Sequence, residues 1–217
     1  MKRLIQDVDF AHRRYWPERP VSLASRLRLL AGNPALRLLL IHRIAHWLYA
    51  NRPPDGWRAW RWRLMKGALA LPKWVAQVNA KSEISNDCEL EGGVCFSNQG
   101  FFIFGPRTAG AGTVIGSRVT FGKSHVDDGI PEVGRNVWIG SDCVVYGAIR
   151  IGDGATLLPG TVLTKSIPAG VVIQGNPARL VLRNFDNREL RERADVDALP
   201  YVQRKGGPEC SRIFAPT

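Results

Sequence analysis

"VGRNVWIGSDCVVYGAIRIGDGATLLPGTVL" occupies residues 133–163, and an aliphatic side chain stands at every sixth position of it. Val133, Ile139, Val145, Ile151, Leu157 and Leu163 keep the spacing without a break, and Gly134, Gly140 and Gly152 each follow one of them. A period of six fits neither an amphipathic helix nor a half-buried strand. It fits a chain wound in coils, with three short strands per coil. Each strand turns one aliphatic side chain inward, a small residue follows at the corner, and each strand pairs with the coils above and below. Ile115 and Phe121 lie in the same register. Ile84, Leu90, Phe96 and Phe102 keep the spacing one residue out of phase, so one extra residue is expected beyond Phe102, near Thr108–Thr113.

Upstream of about residue 82 the pattern is helical. In "LASRLRLLAGNPALRLLLIHRIAHWLYANR" (23–52) leucines recur at three- and four-residue steps; Gly32 should stop one helix and Pro34 open the next. A third helix is expected in "WRAWRWRLMKGALALPKWV" (57–75), ending before Pro72. The expected organisation is a helical region over 1–80, coils over 81–182, and a short charged helix with a flexible tail over 183–217. The net charge of +11 belongs to the first part, where 15 Lys/Arg face 4 Asp/Glu; the remainder has 15 of each. Arg58, Arg61, Arg63 and Lys66 interleave with Trp57, Trp60, Trp62 and Trp74, which suits either an anionic membrane surface or a cap packed on the first coil. No nucleic-acid motif accompanies the basic residues. No secretory signal is evident, and Leu36–Ala50 is too short and too interrupted to span a bilayer, so a cytoplasmic protein is expected. Cys88, Cys95, Cys143 and Cys210 show no CxxC pairing, which argues against a disulfide framework or a zinc knuckle.

The [LIV]-G-x-x-x-x array resembles the hexapeptide-repeat acyltransferases. "NPALRLLLIHRIAHWLYANR", the ending "VLTKSIP…GNPARLV" and the extra residue near Thr108–Thr113 look like serine acetyltransferase and its polysaccharide-modifying relatives, over roughly residues 22–182. The resemblance implies a mainly β fold, a left-handed parallel β-helix, whose hand is an exception to the right-handed crossover rule. It also implies acetyl-CoA as acyl donor, a homotrimer or dimer of trimers, and active sites between subunits. The positions matching its cofactor groove are Gly140, Ser141, Pro159 and Gly160, with Lys165 and Arg179 available to the nucleotide phosphates.

Transfer to a hydroxyl needs a base, which histidine suits, and a donor for the oxyanion. The family's Asp-His pair corresponds to Ser97-Asn98 and its second His to Ile130, so neither histidine is present. Asn98 can orient an acceptor or donate to an oxyanion but cannot take a proton at neutral pH. His125, with Asp127 or Asp128 to fix its tautomer, is the candidate base, against a packed or merely loop-exposed role. Ser97, Gln99 and Phe101, an amide–hydroxyl wedge beside aromatic rings, suit a sugar acceptor. His42 and His46 are one helical turn apart, but this spacing belongs to the family's structural pattern and no metal is expected. The expected activity is CoA-dependent O-acetylation of a sugar hydroxyl in surface-polysaccharide biosynthesis. Serine O-acetylation and a catalytically silent scaffold are the alternatives. A γ-carbonic-anhydrase-like site fails for want of three coil histidines.

Overall fold

The computed structural model describes residues 2–53, 56–123 and 129–193. It opens with α1 (Lys2–Tyr15), α2 (Leu23–Gly32), α3 (Pro34–Ala50) and α4 (Trp57–Ala80). The break between α2 and α3 falls where Gly32 and Pro34 require it. The Asn33 N–H donates to Leu29 O (2.9 Å) and closes α2, while its side-chain oxygen accepts from Leu36 N (3.0 Å) and caps α3. Two expectations need correction. Residues 2–15 are a helix, unread in the sequence because its buried side includes Asp7, His12 and Arg14. Helix α4 also runs straight through Pro72, since the hydrogen bond that Pro72 forfeits would have gone to Ala68 on an exposed face, where water can replace it.

The rest of the chain forms strands of two to four residues. In order they are β1 (Glu83–Ile84), β2 (Glu89–Leu90), β3 (Cys95–Phe96), β4 (Ile103–Phe104), β5 (Thr108–Ala109), β6 (Val114–Ile115) and β7 (Thr120–Gly122). Then come β8 (Glu132–Val133), β9 (Trp138–Ile139), β10 (Val144–Tyr146), β11 (Arg150–Ile151), β12 (Thr156–Leu157), β13 (Val162–Leu163), β14 (Val172–Gln174) and β15 (Arg179–Leu182), followed by α5 (Arg188–Glu192). Face A is β1-β4-β7-β10-β13, face B is β2-β5-β8-β11, and face C is β3-β6-β9-β12-β14, all paired in parallel; β15 joins face C antiparallel. The product is a three-sided parallel β-helix. In its regular part Val144 pairs with Val162, eighteen residues on, which is three periods of six.

Two departures from that coil length set the functional geometry. Ile84 pairs with Phe104 and not with Phe102, so the corner after β3 holds two more residues than its successors. The next corner, Gly105–Arg107, is one residue short. The expected single extra residue is therefore the sum of a gain at 97–102 and a loss just after it. Phe102 still enters the core, stacked on Phe96 at 4.6 Å between ring centroids. Further along, Phe121 pairs with Val145 and Ala109 with Val133, each twenty-four residues on. The chain between faces A and B is thus six residues longer at this level than in the regular coils. The added length equals the period, so the register passes over it unchanged.

The outward side chains make the three faces unlike. Face C turns out Cys95, Val114, Trp138, Thr156 and Val172, all buried; α1 lies against β3 and α5. Face B turns out Glu89, Thr108, Glu132 and Arg150. Face A turns out Glu83 from its first strand and then Ile103, Thr120, Val144 and Val162; these four are uncharged and uncovered, with Ile103 55% exposed. At the C-terminal end Asn187 Nδ2 donates to the carbonyls of Asn136 (2.9 Å) and Gly154 (3.2 Å), and Arg191 Nη1 donates to Asn136 Oδ1 (3.0 Å), so α5 locks onto the corner between faces B and C.

Candidate active site

The edge between faces C and A carries most of the candidate residues, coil above coil. Each corner has a residue in the left-handed region at the matching place: Gly100 (φ +74°), Arg118 (+52°), Asp142 (+60°) and Gly160 (+74°). The corners are laced together by Arg118 N to Gly100 O (3.3 Å), Asp142 N to Ser117 O (3.0 Å) and Gly160 N to Ser141 O (2.9 Å). The wedge at 97–100, Ser141, Pro159 and Gly160 therefore share one line along the prism.

The wedge itself is a tight turn. Gly100 N donates to Ser97 O (3.4 Å), and Ser97 Oγ accepts from Gln99 N (3.2 Å). Ser97 is buried, which leaves Asn98 and Gln99 as the exposed polar groups. A side chain at Gly100 would stand 2.0 Å from the carbonyl oxygen of Ala80, so only glycine brings the turn against the end of α4. Phe101, itself left-handed at φ +60° and half exposed, turns its ring outward with Lys81 Nζ 5.0 Å from its centroid.

Higher on the edge, Ser117 Oγ and Ser141 Oγ are 3.3 Å apart and buried. Arg118 pairs with Asp142 through two hydrogen bonds of 2.5 and 2.8 Å, exposed on the same edge. The two glycines there do different work. A Cβ on Gly140 would meet the Pro159 ring at 2.8 Å, so Gly140 serves the stacking of corners, whereas Gly160 is exposed and faces open space. Arg179 opens β15 opposite Gln174 at the top of this edge. Lys165 is exposed beyond β13, on the A–B side, so the two cations are not brought together within one chain.

His125, Asp127 and Asp128 lie outside the described residues. The residues around them, Lys123 and Gly129, stand at the A–B corner. The other histidines belong to the helices. His12 is buried in α1; His46 Nδ1 lies 2.9 Å from Asn86 O; His42 is buried, and its pKa is pushed down to about 3 by burial and then by the nearby His46 and Arg43. Among the described residues no group of three or more His, Cys, Asp or Glu could hold a metal ion, and no helix is long and apolar enough to cross a membrane.

Two features of this edge were unread in the sequence. The Arg118–Asp142 pair depends on which residues face each other one coil apart. Tyr15 of α1 is hydrogen-bonded to the Asn33 side chain and to the backbone N–H of Asn98, and burial raises the pKa of its hydroxyl. Only the fold brings residue 15 to residue 98.

Comparison with known proteins now gives this geometry a class. Residues 131–165 match the family described as bacterial transferase hexapeptide (six repeats). The three parallel sheets and this match fit a left-handed β-helix. More particularly, the chain is similar to serine acetyltransferases. It is 26% identical over 181 residues to the serine acetyltransferase of Synechococcus elongatus, which covers 77% of this chain and 65% of that protein. The serine acetyltransferase of Neisseria gonorrhoeae shares the fold with a TM-score of 0.66 at 21% identity, over 90% of this chain and 69% of that one. Galactoside O-acetyltransferase of Escherichia coli K12 is 42% identical over a shorter stretch of 57 residues, 26% of this chain and 28% of that protein.

Proposed function

We propose that the chain transfers an acetyl group from acetyl-CoA to a hydroxyl, at a site completed between copies of a trimer. The observation that carries this reading is the split of the candidate residues over the two edges of one uncovered face, uncharged beyond its first strand. Asn98, Ser141, Pro159, Gly160 and Arg179 follow the C–A edge, whereas Lys165 stands at the A–B edge, as do Lys123 and Gly129, the described residues on either side of 124–128. If face A turns toward a threefold axis, one edge of each chain abuts the opposite edge of the next. Beyond Glu83 of the first strand, Ile103, Thr120, Val144 and Val162 offer such a contact an uncharged surface, whereas charges stand along face B from Glu89 to Arg150.

In this reading the acceptor oxygen attacks the thioester carbonyl carbon as its proton passes to His125, with Asp127 fixing the imidazole tautomer. Asn98 orients the acceptor or donates to the oxyanion. Collapse of the tetrahedral intermediate breaks the carbon–sulfur bond, and the leaving thiolate of CoA takes the proton back from the imidazolium. The pantetheine arm follows Ser141, Pro159 and Gly160, and Arg179 and Lys165 reach the phosphates from adjoining chains. Use of acetyl-CoA fits a cytoplasmic reaction.

A sugar hydroxyl of a surface-polysaccharide precursor is the acceptor that this wedge suits. Asn98 and Gln99 provide donors and acceptors, the exposed Phe101 ring provides a face, and the wedge itself, residues 97–102, holds no carboxylate. The similarity to galactoside O-acetyltransferase points the same way. Serine is the second reading, favoured by the long similarity to the Synechococcus enzyme and by a solved neighbour captured with serine. A thiol-release assay with acetyl-CoA and either L-serine or oligosaccharides decides between them. Turnover with oligosaccharide, reduced ~10²-fold or more in His125→Ala, is the expected result. Robust turnover with serine alone selects the second reading, and silence with every acceptor makes the chain a scaffold.

A further inference from the structure

Helix α4 has two apolar sides and buries one. Trp62, Leu69, Ala76 and Ala80 turn toward α3, where Trp62 Nε1 donates to Leu48 O at 2.7 Å. On the other side Trp57, Trp60, Leu64, Gly67, Leu71, Trp74 and Val78 succeed one another in alternating steps of three and four, the a and d positions of three heptads. All are exposed, with Trp57 at 65%, Leu71 at 66% and Trp74 at 61%. An apolar helical stripe this regular requires a partner.

The flanking positions indicate which partner. Arg61 and Arg63 flank the first heptad, but Ala68, Ala70, Val75 and Gln77 flank the rest, while Lys66 and Lys73 line the α3 side. In a parallel pairing Arg63 would meet Ala68 and Ala70 would meet Val75, so no like charges oppose each other. Gly67 has no atom within 4 Å of where a Cβ would stand, and with Ala68 and Ala70 it leaves room for close approach of another helix. An in-plane membrane helix would instead carry its cations along the whole length of the stripe. At its C-terminal end the stripe meets face A, where Val78, Phe101 and Ile103 line one shallow pocket together with Lys81 and Glu83.

We infer that α4 packs along this seam against α4 of further copies of the chain, as a parallel bundle that extends the face A contact. The inference rests on the trimeric reading above, since a rotation axis facing face A also brings the α4 seams together in register.

The test measures the mass of the full chain in solution by light scattering, for wild type, Leu71→Glu and Ile103→Glu. Both positions are exposed in one chain, so neither change should disturb its fold, which circular dichroism checks. A trimeric wild type is expected, with a ≥10-fold weaker assembly in Leu71→Glu. Leu71→Cys should form interchain disulfides under mild oxidation, and Lys66→Cys, on the α3 side, should not. If Ile103→Glu dissociates the trimer while Leu71→Glu leaves it intact, the seam is refuted and the face A contact stands. A monomeric wild type overturns both. If Leu71→Glu keeps the wild-type mass but abolishes binding to phosphatidylglycerol vesicles that the wild type shows, the seam is a lipid surface and the inference fails.

Discussion

Along the coils the inward strand side chains are aliphatic or aromatic, and the polar residues stand at corners or turn outward from the strands. In the helical region Asp7, His12, Arg14, Asn33 and His42 are buried, while Trp57, Trp60, Leu71 and Trp74 are exposed. The difference follows from what each part packs against. A coil stacks on a copy of itself, so one inward residue per six builds a continuous apolar core. The helices instead close the open end of the stack, where the first coil presents backbone groups with no coil below. Their interior is made of single polar contacts fitted to that end, and much of their apolar surface faces outward.

The largest expected effect is at Asp7. Its carboxylate accepts from Gly93 N (2.7 Å) and Val94 N (3.2 Å) at the first B–C corner and from Arg43 Nε (3.0 Å) and Nη2 (3.1 Å) of α3, joining three elements at a point with no exposure. Burial outweighs these partners and raises its pKa above 3.8. Asp7→Ala should cost about 3–5 kcal/mol in denaturant unfolding, since it leaves two N–H groups without an acceptor and the nearly buried Arg43 guanidinium, held otherwise by the carbonyls of Leu90 and Glu91, without its counter-charge. Asp7→Asn keeps one acceptor and should cost less. A loss below about 1 kcal/mol for the alanine variant would mean that the polar interior of the helices is incidental.

These contrasts explain what the sequence disclosed. The coils were legible from Val133 to Leu163 because every period repeats the same demand. The added length between Phe121 and Val133 left no mark on the register because it is one period long, and the change near residue 100 looked like one extra residue because a gain of two is followed by a loss of one. Asn98, Ser141, Pro159 and Gly160 emerged through family resemblance, which locates positions but not which edge they share. Tyr15, the Arg118–Asp142 pair and the Asp7 junction follow no local pattern, since each depends on residues far apart in the chain meeting in space. Helix α4 was cut short at Pro72 by a rule that holds for buried helices better than for exposed ones.

His42 gives the intermediate effect and tests the helical interior by pH. Its folded pKa of about 3 lies below the ordinary 6.5, so between those values the unfolded chain binds more protons. Stability is fully present above pH 6.5 and falls as the pH drops toward 3. Between pH 7 and 5 this amounts to roughly 2 kcal/mol. His42→Leu should be visibly flatter over that interval in thermal or urea unfolding. An unchanged slope would assign the acid sensitivity to other groups and weaken the view of the helices as a polar-lined closure.

The smallest effect belongs to the coil surface and sharpens the comparison from the other side. Glu91 accepts from Ala111 N (2.9 Å) and takes two hydrogen bonds of 2.8 Å from Arg135, so one carboxylate ties three successive B–C corners. The Arg135 and Ala111 bonds hold its pKa down at about 2, against an ordinary 4.5. The unfolded chain therefore binds the extra proton between pH 4.5 and 2; the contribution is present above 4.5 and is lost as the pH falls through that window. Both partners are substantially exposed, at 63% and 38%, so solvent screens the pair and its worth is a fraction of that at His42. Glu91→Gln should lower the unfolding midpoint slightly at pH 7, less so in high salt, and match the wild type near pH 2. A loss as large as that of Asp7→Ala would show that the coils, too, depend on single polar contacts, and the division between a self-stacking repeat and a fitted closure would fail.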